Sequence, residues 1–442
     1  MKGGLISGLL LAALFLTIYL LRTDECNEHL LKREFQLALP ACKKNADQGD
    51  ARAQFNLGVI YDFGYSVTQD YNKAVKWYSK AAEQGYARAQ SNLGIMYEKG
   101  FGVTQDYNEA VKWYRKAAEQ GISESQNNLG ALYHNGFGVT QDYNEAVKWY
   151  RKAADQKLAR AQYNLGVMYQ EGQGVSKDYN KAVIWYRKAA DQGHTRGQYN
   201  FGVMYYKGHG VTQSYIKAFK WYKKAADKGY PQAQNNLGVM YREGQGVTQN
   251  HAEAVEWFRA AADLGYADAQ YSLGSMYGEG HGVTQDHNVA YNWIRKAADQ
   301  GYARAQYSLG IMYTNGFGDV NKDYNEAIKW YRKAVEQGFA EAQFNMGMMY
   351  LNGRGVIKND TMAVGLFWHA ANQGYAKAQY NLGIMRANGQ GVAGDYIQAY
   401  MWLNLASNNG FSVEARDEVA KRMTPVQILK AQELAKEWKP KK

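Results

Sequence analysis

A-R-A-Q-S-N-L-G-I-M-Y-E-K-G-F-G-V-T-Q-D-Y-N-E-A-V-K-W-Y-R-K-A-A-E-Q-G-I, residues Ala87 to Ile122, is one copy of a sentence written ten times between Ala51 and Phe411. The period is 36 residues, with one residue inserted in the eighth copy. A fixed period of this length marks an array of small supersecondary units. Such units bury their apolar faces only against each other. Length alone would suggest about three domains. The repeat overrules that prior, because a solenoid grows in one dimension without a single large core.

Numbering each copy from 1 to 36, positions 1–13 read as a first helix. Ala at 3, Leu at 7, Gly at 8 and Tyr at 11 share one face through spacings of three and four. A glycine inside a helix costs roughly 1 kcal/mol against alanine. Its return at Gly58, Gly94, Gly130 and every later copy therefore predicts close approach of the paired helix. Gly at 14 and at 16 end that helix and turn the chain, with Ser66 the exception at 16. The second helix carries Ala at 24, Trp at 27 and Ala at 31 and 32. The phased tryptophans, such as Trp77, Trp113 and Trp149, read as core. Gly at 35 ends the second helix, except where Lys157 replaces it.

The four prolines suit a helical array, and the 46 glycines recur in phase, as punctuation. The net charge of +11 is spread with the repeat, usually near acidic neighbours. Without a dense basic block, it does not point to nucleic acid. His281 and His287 are the closest histidine pair and have no cysteine nearby, so a zinc site is not expected. Ser214-Tyr215-Ile216-Lys217 fits S-x-x-K, but neither S-D-N nor K-T-G follows it. Asp319-Val320-Asn321-Lys322-Asp323 begins like a calcium loop, yet lacks the glycine and terminal glutamate. No catalytic residue, metal or cofactor is expected.

The ends differ from the middle. Residues 1–25 hold an apolar run, Leu5 to Leu21, between Lys2 and Arg22. They read as an uncleaved membrane anchor or a cleaved export signal. Either places the repeats outside the cytoplasm. There a Cys26–Cys42 disulfide becomes available. In one straight helix these residues would stand about 24 Å apart. Bridging needs alpha carbons within roughly 7 Å, so the chain must fold back near Lys32–Phe35. Residues 26–50 thus read as an irregular capping hairpin before the ten repeats at 51–411. Residues 412–442 close the array. Thr424-Pro425-Val426-Gln427 reads as a capped helix start, and Ile428, Ala431, Leu434, Ala435 and Trp438 form its apolar stripe.

L-G-x-M-Y, then G-x-G-V, then D-Y-x-x-A-x-x-W-Y-x-K-A-A-x-Q-G resembles the Sel1-like repeat, a relative of the tetratricopeptide repeat. Ala415 to Ile428 resembles the tail that closes many bacterial arrays of this kind. The resemblance implies an all-α, right-handed superhelix used as a protein–protein scaffold. In bacteria such proteins are often exported, with links to signalling, envelope assembly or host interaction. By the same similarity, positions 2, 5, 6, 9, 12 and 13 face a concave groove.

Those positions supply the candidate contacts. Position 2 gives Arg52, Arg88, Arg160, Arg196, Arg304 and Lys377, suited to carboxylate or phosphate. Position 6 gives Asn56, Asn92, Asn128, Asn164, Asn200, Asn236 and Asn381. These could hold a peptide backbone or bond the neighbouring unit. Position 5 adds Tyr163, Tyr199, Tyr307 and Tyr380. Tyr206 represents the variable positions 12 and 13, the better candidates for specificity. The expected function is a membrane-tethered scaffold on the periplasmic side, or an exported one, binding an acidic peptide. The alternative is an envelope enzyme or a binder of cell-wall fragments, since some Sel1-like proteins are described as β-lactamases.

Overall fold

The glycine at position 8 governs how the two helices of a repeat meet. A Cβ on Gly58, Gly94, Gly166 or Gly238 would stand 2.5 or 2.6 Å from a ring carbon of Tyr78, Tyr114, Tyr186 or Phe258. These rings all occupy position 28 and are fully or almost fully buried. The approach is therefore a flat ring lying on a bare Cα, at a residue the sequence reading passed over.

The computed structural model describes residues 25–411 and 413–440. Residues 1–24, which carry the expected anchor or signal, lie outside the described residues. The described residues form 24 helices. Their β pairing is an isolated bridge, Phe317 to Val320. No described helix is long and apolar enough to cross a membrane. The chain divides into two units, at Ser214 and Tyr215. The first helix of the fifth repeat, Thr195–Lys207, belongs to the first unit. Its second helix, Tyr215–Ala226, belongs to the second.

Each loop between paired helices is fixed by local hydrogen bonds. In the second repeat the helices are Ala87–Lys99 and Tyr107–Glu119. Gly100 caps the first in the left-handed conformation, φ 72°, a region glycine enters without steric cost. Gln105 Nε2 donates to the Glu98 carbonyl at 2.8 Å. The Asp106 carboxylate accepts from the Asn108 and Glu109 amides and caps the second helix. The T-Q-D signature thus seals two helix ends within two residues.

Neighbouring repeats meet through three further contacts. A Cβ on Gly102 would fall 2.4 Å from the Tyr71 carbonyl of the preceding repeat. Position 16 is therefore glycine for packing as well as for turning. Ser66 stands in the first repeat, which follows the cap and no full repeat. At position 15, Phe101 stacks on Tyr71 and Phe137 on Tyr107, with ring centres 4.9 and 5.1 Å apart. A buried glutamine at position 4 makes the third contact. Gln90 Nε2 donates to the Ala82 carbonyl of the preceding repeat and its Oε1 accepts from Gln120 at position 34. The same arrangement recurs at Gln126 with Gln156 and at Gln162 with Gln192. In the sixth repeat position 34 is Leu264, and the buried Oε1 of Gln234 has no partner.

The position-27 tryptophans correct the core reading. Trp149, Trp330 and Trp402 are buried, but Trp77, Trp113, Trp185, Trp257 and Trp293 are half-buried. Trp113 and Trp293 pack on the core shared by the preceding repeat and their own first helix. A lysine at position 30 also lies over the indole in most of these repeats, whereas Trp257, with Ala260 at position 30, has Lys223 over it. Lys188 Nζ sits 4.0 Å from the Trp185 ring centre and Lys116 Nζ 4.2 Å from that of Trp113. These are cation–π contacts at a solvated edge.

Both ends are covered. Glu25–Leu31 and Phe35–Asp47 form a hairpin. A disulfide joins Cys26 to Cys42, with alpha carbons 4.5 Å apart. At the other end Glu414–Ala420 and Pro425–Glu437 follow the last repeat. Thr424 and Gln427 form a capping box. Ala431 and Ala435 are buried, and Trp438 packs edge-on against Trp402.

Two outcomes follow for stability. Gly94→Ala, which helix propensity alone would favour, lowers stability by about 1–3 kcal/mol, the cost of overpacking a filled site. A urea midpoint equal to or above that of the parent would contradict this. Leu264→Gln, at an exposed side chain, supplies the missing donor to Gln234 and raises stability by about 1 kcal/mol. An unchanged midpoint would show that Gln234 Oε1 is already satisfied.

Candidate functional site

The first helices of successive repeats present positions 2, 5, 6, 9, 12 and 13 on a partly exposed face. Arg52, Arg88, Arg160, Arg196, Arg304 and Lys377 stand at the helix starts and are exposed. Tyr163, Tyr199, Tyr307 and Tyr380 are half-buried. Their rings also pack inward. Tyr163 lies 5.9 Å from Tyr186 and 5.0 Å from His194, and Tyr307 lies 6.0 Å from Tyr331. Burial pushes the Tyr307 hydroxyl up to about 12, so it stays a neutral donor across the physiological range. Tyr206 is half-buried at the end of its helix.

The asparagine row has a structural duty. Asn92, Asn128 and Asn200 face the hydroxyls of Tyr78, Tyr114 and Tyr186 in the preceding repeat and oppose the upward push of burial on their pKa values. Asn345 donates to the Tyr331 hydroxyl at 3.3 Å. Asn164 donates to Asn127, Asn381 reaches the Met348 sulfur, and buried Asn56 meets Cys26 Sγ. Asn236 is half-buried. Position 12 shares the task, since Tyr78 donates to Asp62 at 2.9 Å and Tyr114 to Glu98 at 2.7 Å. Burial raises these tyrosine pKa values well above their ordinary range, with Asp62 and Glu98 adding to the shift.

One place on this face gathers several candidates. Arg160, Tyr163 and Asn164 of the fourth repeat meet His194, Thr195 and Arg196 around a cleft of about 420 Å³. All six belong to the first unit. Among the described residues, neither Arg160 nor Arg196 has an ion-pair partner. His194 Nδ1 accepts the Gly197 amide at 3.1 Å, so in the neutral ring the proton sits on Nε2. Two guanidinium groups from consecutive repeats, rimmed by aromatic edges, suit a carboxylate or another oxyanion.

The second unit differs at the same register. There position 2 reads Gln232, Asp268, Arg304, Glu341 and Lys377, a mixed row. Ser214 precedes the helix Tyr215–Ala226, and Lys217 lies in its first turn. Among the described residues no three His, Cys, Asp or Glu side chains are grouped to hold a metal ion. Asp319 in the inserted loop is bonded to Asn288 of the preceding repeat.

The Sel1 repeat family model matches ten times without a gap, from residues 51–86 to 376–411. The chain is similar to a protective antigen of uropathogenic Escherichia coli strains with an SLR fold. Identity is 36%, covering 90% of this chain and 94% of that one, with a TM-score of 0.60. It is also similar to a Sel1 repeat protein from Oxalobacter formigenes. That match has 36% identity, covers 70% and 89% of the two chains and has a TM-score of 0.56. No curated protein matches the chain.

Proposed function

Because the chain belongs to the Sel1 repeat family, we propose that it is an extracytoplasmic scaffold whose first-helix face receives an acidic segment of a partner protein. Sel1 repeats generally mediate protein–protein interaction, and this array is suited to it. The observation that carries the acidic reading is the cleft between Arg160 and Arg196. Two exposed arginines from successive repeats line it, with no carboxylate among the described lining residues. An acidic side chain of a partner would complete them with forked hydrogen bonds. The neighbouring tyrosine and histidine edges supply contact area at low entropic cost.

Placement outside the cytoplasm is supported by the Cys26–Cys42 disulfide, a bond that persists in oxidising compartments. The Escherichia coli relative is a protective antigen, which accords with exposure to the outside. The apolar run at Leu5 to Leu21 would tether the array or direct its export. An envelope enzyme has only Ser214 and Lys217 in its favour, without their companion motifs.

Crosslinking in the native cell, followed by capture of the full chain, recovers a protein partner. The double reversal Arg160→Glu and Arg196→Glu weakens that partner's binding at least about tenfold while leaving the melting curve intact. Full binding by the folded double variant would sink the acidic reading. For placement, protease added to spheroplasts degrades the repeats, and a maleimide reagent labels Cys26 and Cys42 only after reduction. Protected repeats with freely labelled cysteines would overturn the extracytoplasmic assignment.

A further inference from the structure

The seventh repeat breaks the packing rule at four positions that surround one point. Most other repeats lay a tyrosine or phenylalanine at position 28 on the position-8 glycine. Where it is tyrosine, the hydroxyl can meet position 12 of its own repeat or position 6 of the next, as Tyr114 meets Glu98 and Tyr331 meets Asn345. In the seventh repeat position 28 is Ile294, position 12 is Gly278 and position 6 of the next repeat is Ser308. Position 9, valine or isoleucine in seven of the ten repeats, is Ser275. Four side chains shrink together: Ile294 takes the ring's seat on Gly274, and the space that the outer ring and its hydroxyl would fill is left open.

A cleft of about 270 Å³ remains. Its lining includes all four of these residues, with Phe317 as a further wall. Exposed Glu279 and Asn315 also line it, and Glu279 pairs with His281 at 2.9 Å. The tenth repeat also lacks a ring, having Leu403 and Ala387. There Val419 and Ala431 of the closing helices join the same apolar cluster. The volume falls just below the range of roughly 300–1,000 Å³ usual for drug-sized ligands.

We propose that this niche is a socket for the tyrosine side chain of a partner polypeptide. The entering ring takes the place of the outer ring and hydroxyl that a tyrosine at position 28 provides in most repeats. It lies beyond Ile294, which itself covers Gly274, and is walled by Gly278, Ile311 and Phe317. Its hydroxyl finds Ser275, Ser308, Asn315 and Glu279, as Tyr114 finds Glu98. That the ring belongs to a polypeptide rests on the scaffold reading above. The socket itself rests on the four missing side chains. It lies in the second unit, and the arginine cleft belongs to the first.

The test uses the full chain and three probes. These are p-cresol, toluene, and N-acetyl-tyrosinamide, which carries the flanking peptide bonds of a protein tyrosine. Crystals soaked with p-cresol show it in the cleft beside Ser275, Ile294 and Ser308. In titration p-cresol binds about tenfold more tightly than toluene, the worth of one hydrogen bond to a charged or well-placed acceptor. N-acetyl-tyrosinamide matches p-cresol. Ile294→Tyr fills the niche as other repeats do and abolishes binding with the melting temperature kept or raised. Gly278→Leu, at a helical glycine where an added Cβ meets Phe317 and Ala290 at ordinary contact distance, blocks it from the other wall should the first variant fold poorly. Binding elsewhere, no binding, or binding unchanged in a folded variant overturns the socket. Toluene equal to p-cresol overturns the hydroxyl recognition. Binding of p-cresol without N-acetyl-tyrosinamide overturns the polypeptide source. Failure here leaves the arginine cleft untouched, and failure of the arginine reversal leaves the socket untouched.

Discussion

Everything in the array hangs on one contact, a flat side chain laid on a glycine inside a helix. The glycine at position 8 sacrifices helix propensity. In return the two helices approach until the ring at position 28 fills the gap. This contact fixes the angle and register of each pair. Where the ring is tyrosine, its hydroxyl can also tie in the next pair through position 6 of the following repeat. Intrarepeat and interrepeat order then meet at one side chain. Tyr331 shows both, seated on Gly310 and bonded to Asn345.

The backbone plan was legible in the sequence because it depends on glycine, alanine and capping residues, whose conformational meaning is local. Gly100 stops a helix whatever surrounds it, and Thr424 with Gln427 starts one. The core was less legible. In W-Y the tryptophan is the larger apolar residue, and period alone admits either member to the buried stripe. Positions 24, 28, 31 and 32 keep helical spacing as well as 24, 27, 31 and 32 do. The decision comes from fit. A phenol ring lies flat on glycine and has a partner for its hydroxyl, whereas the indole is left to a solvated edge under a lysine. The glutamine pair was invisible for another reason. Residues 30 apart, such as Gln90 and Gln120, share no local pattern, and their meeting is a product of the finished fold.

The same logic separates structure from recognition at the candidate site. Regular asparagines are engaged by their neighbours, as Asn164 is by Asn127. Arginines at position 2 stand at helix starts, where the packing asks nothing of them. Their side chains are exposed because the alanines and glutamine beside them carry the contact. Departures from the repeat mark the places where the fold has slack. A ring replaced by Ile294 and an acidic or amide group replaced by Gly278 leave space that a self-sufficient repeat would have closed.

The junctions between repeats use backbone carbonyls and side chains common to most copies. Gln90 grips an alanine carbonyl, and Gly102 rests on a peptide bond. Such a seam scarcely depends on which copy lies on either side. Duplication or loss of a whole copy in the gene leaves a seam of the same kind, so the array can lengthen or shorten without a new interface being invented. Descendants of one ancestral array can then differ in reach while keeping the same joint, and each added copy is free to drift on its exposed face.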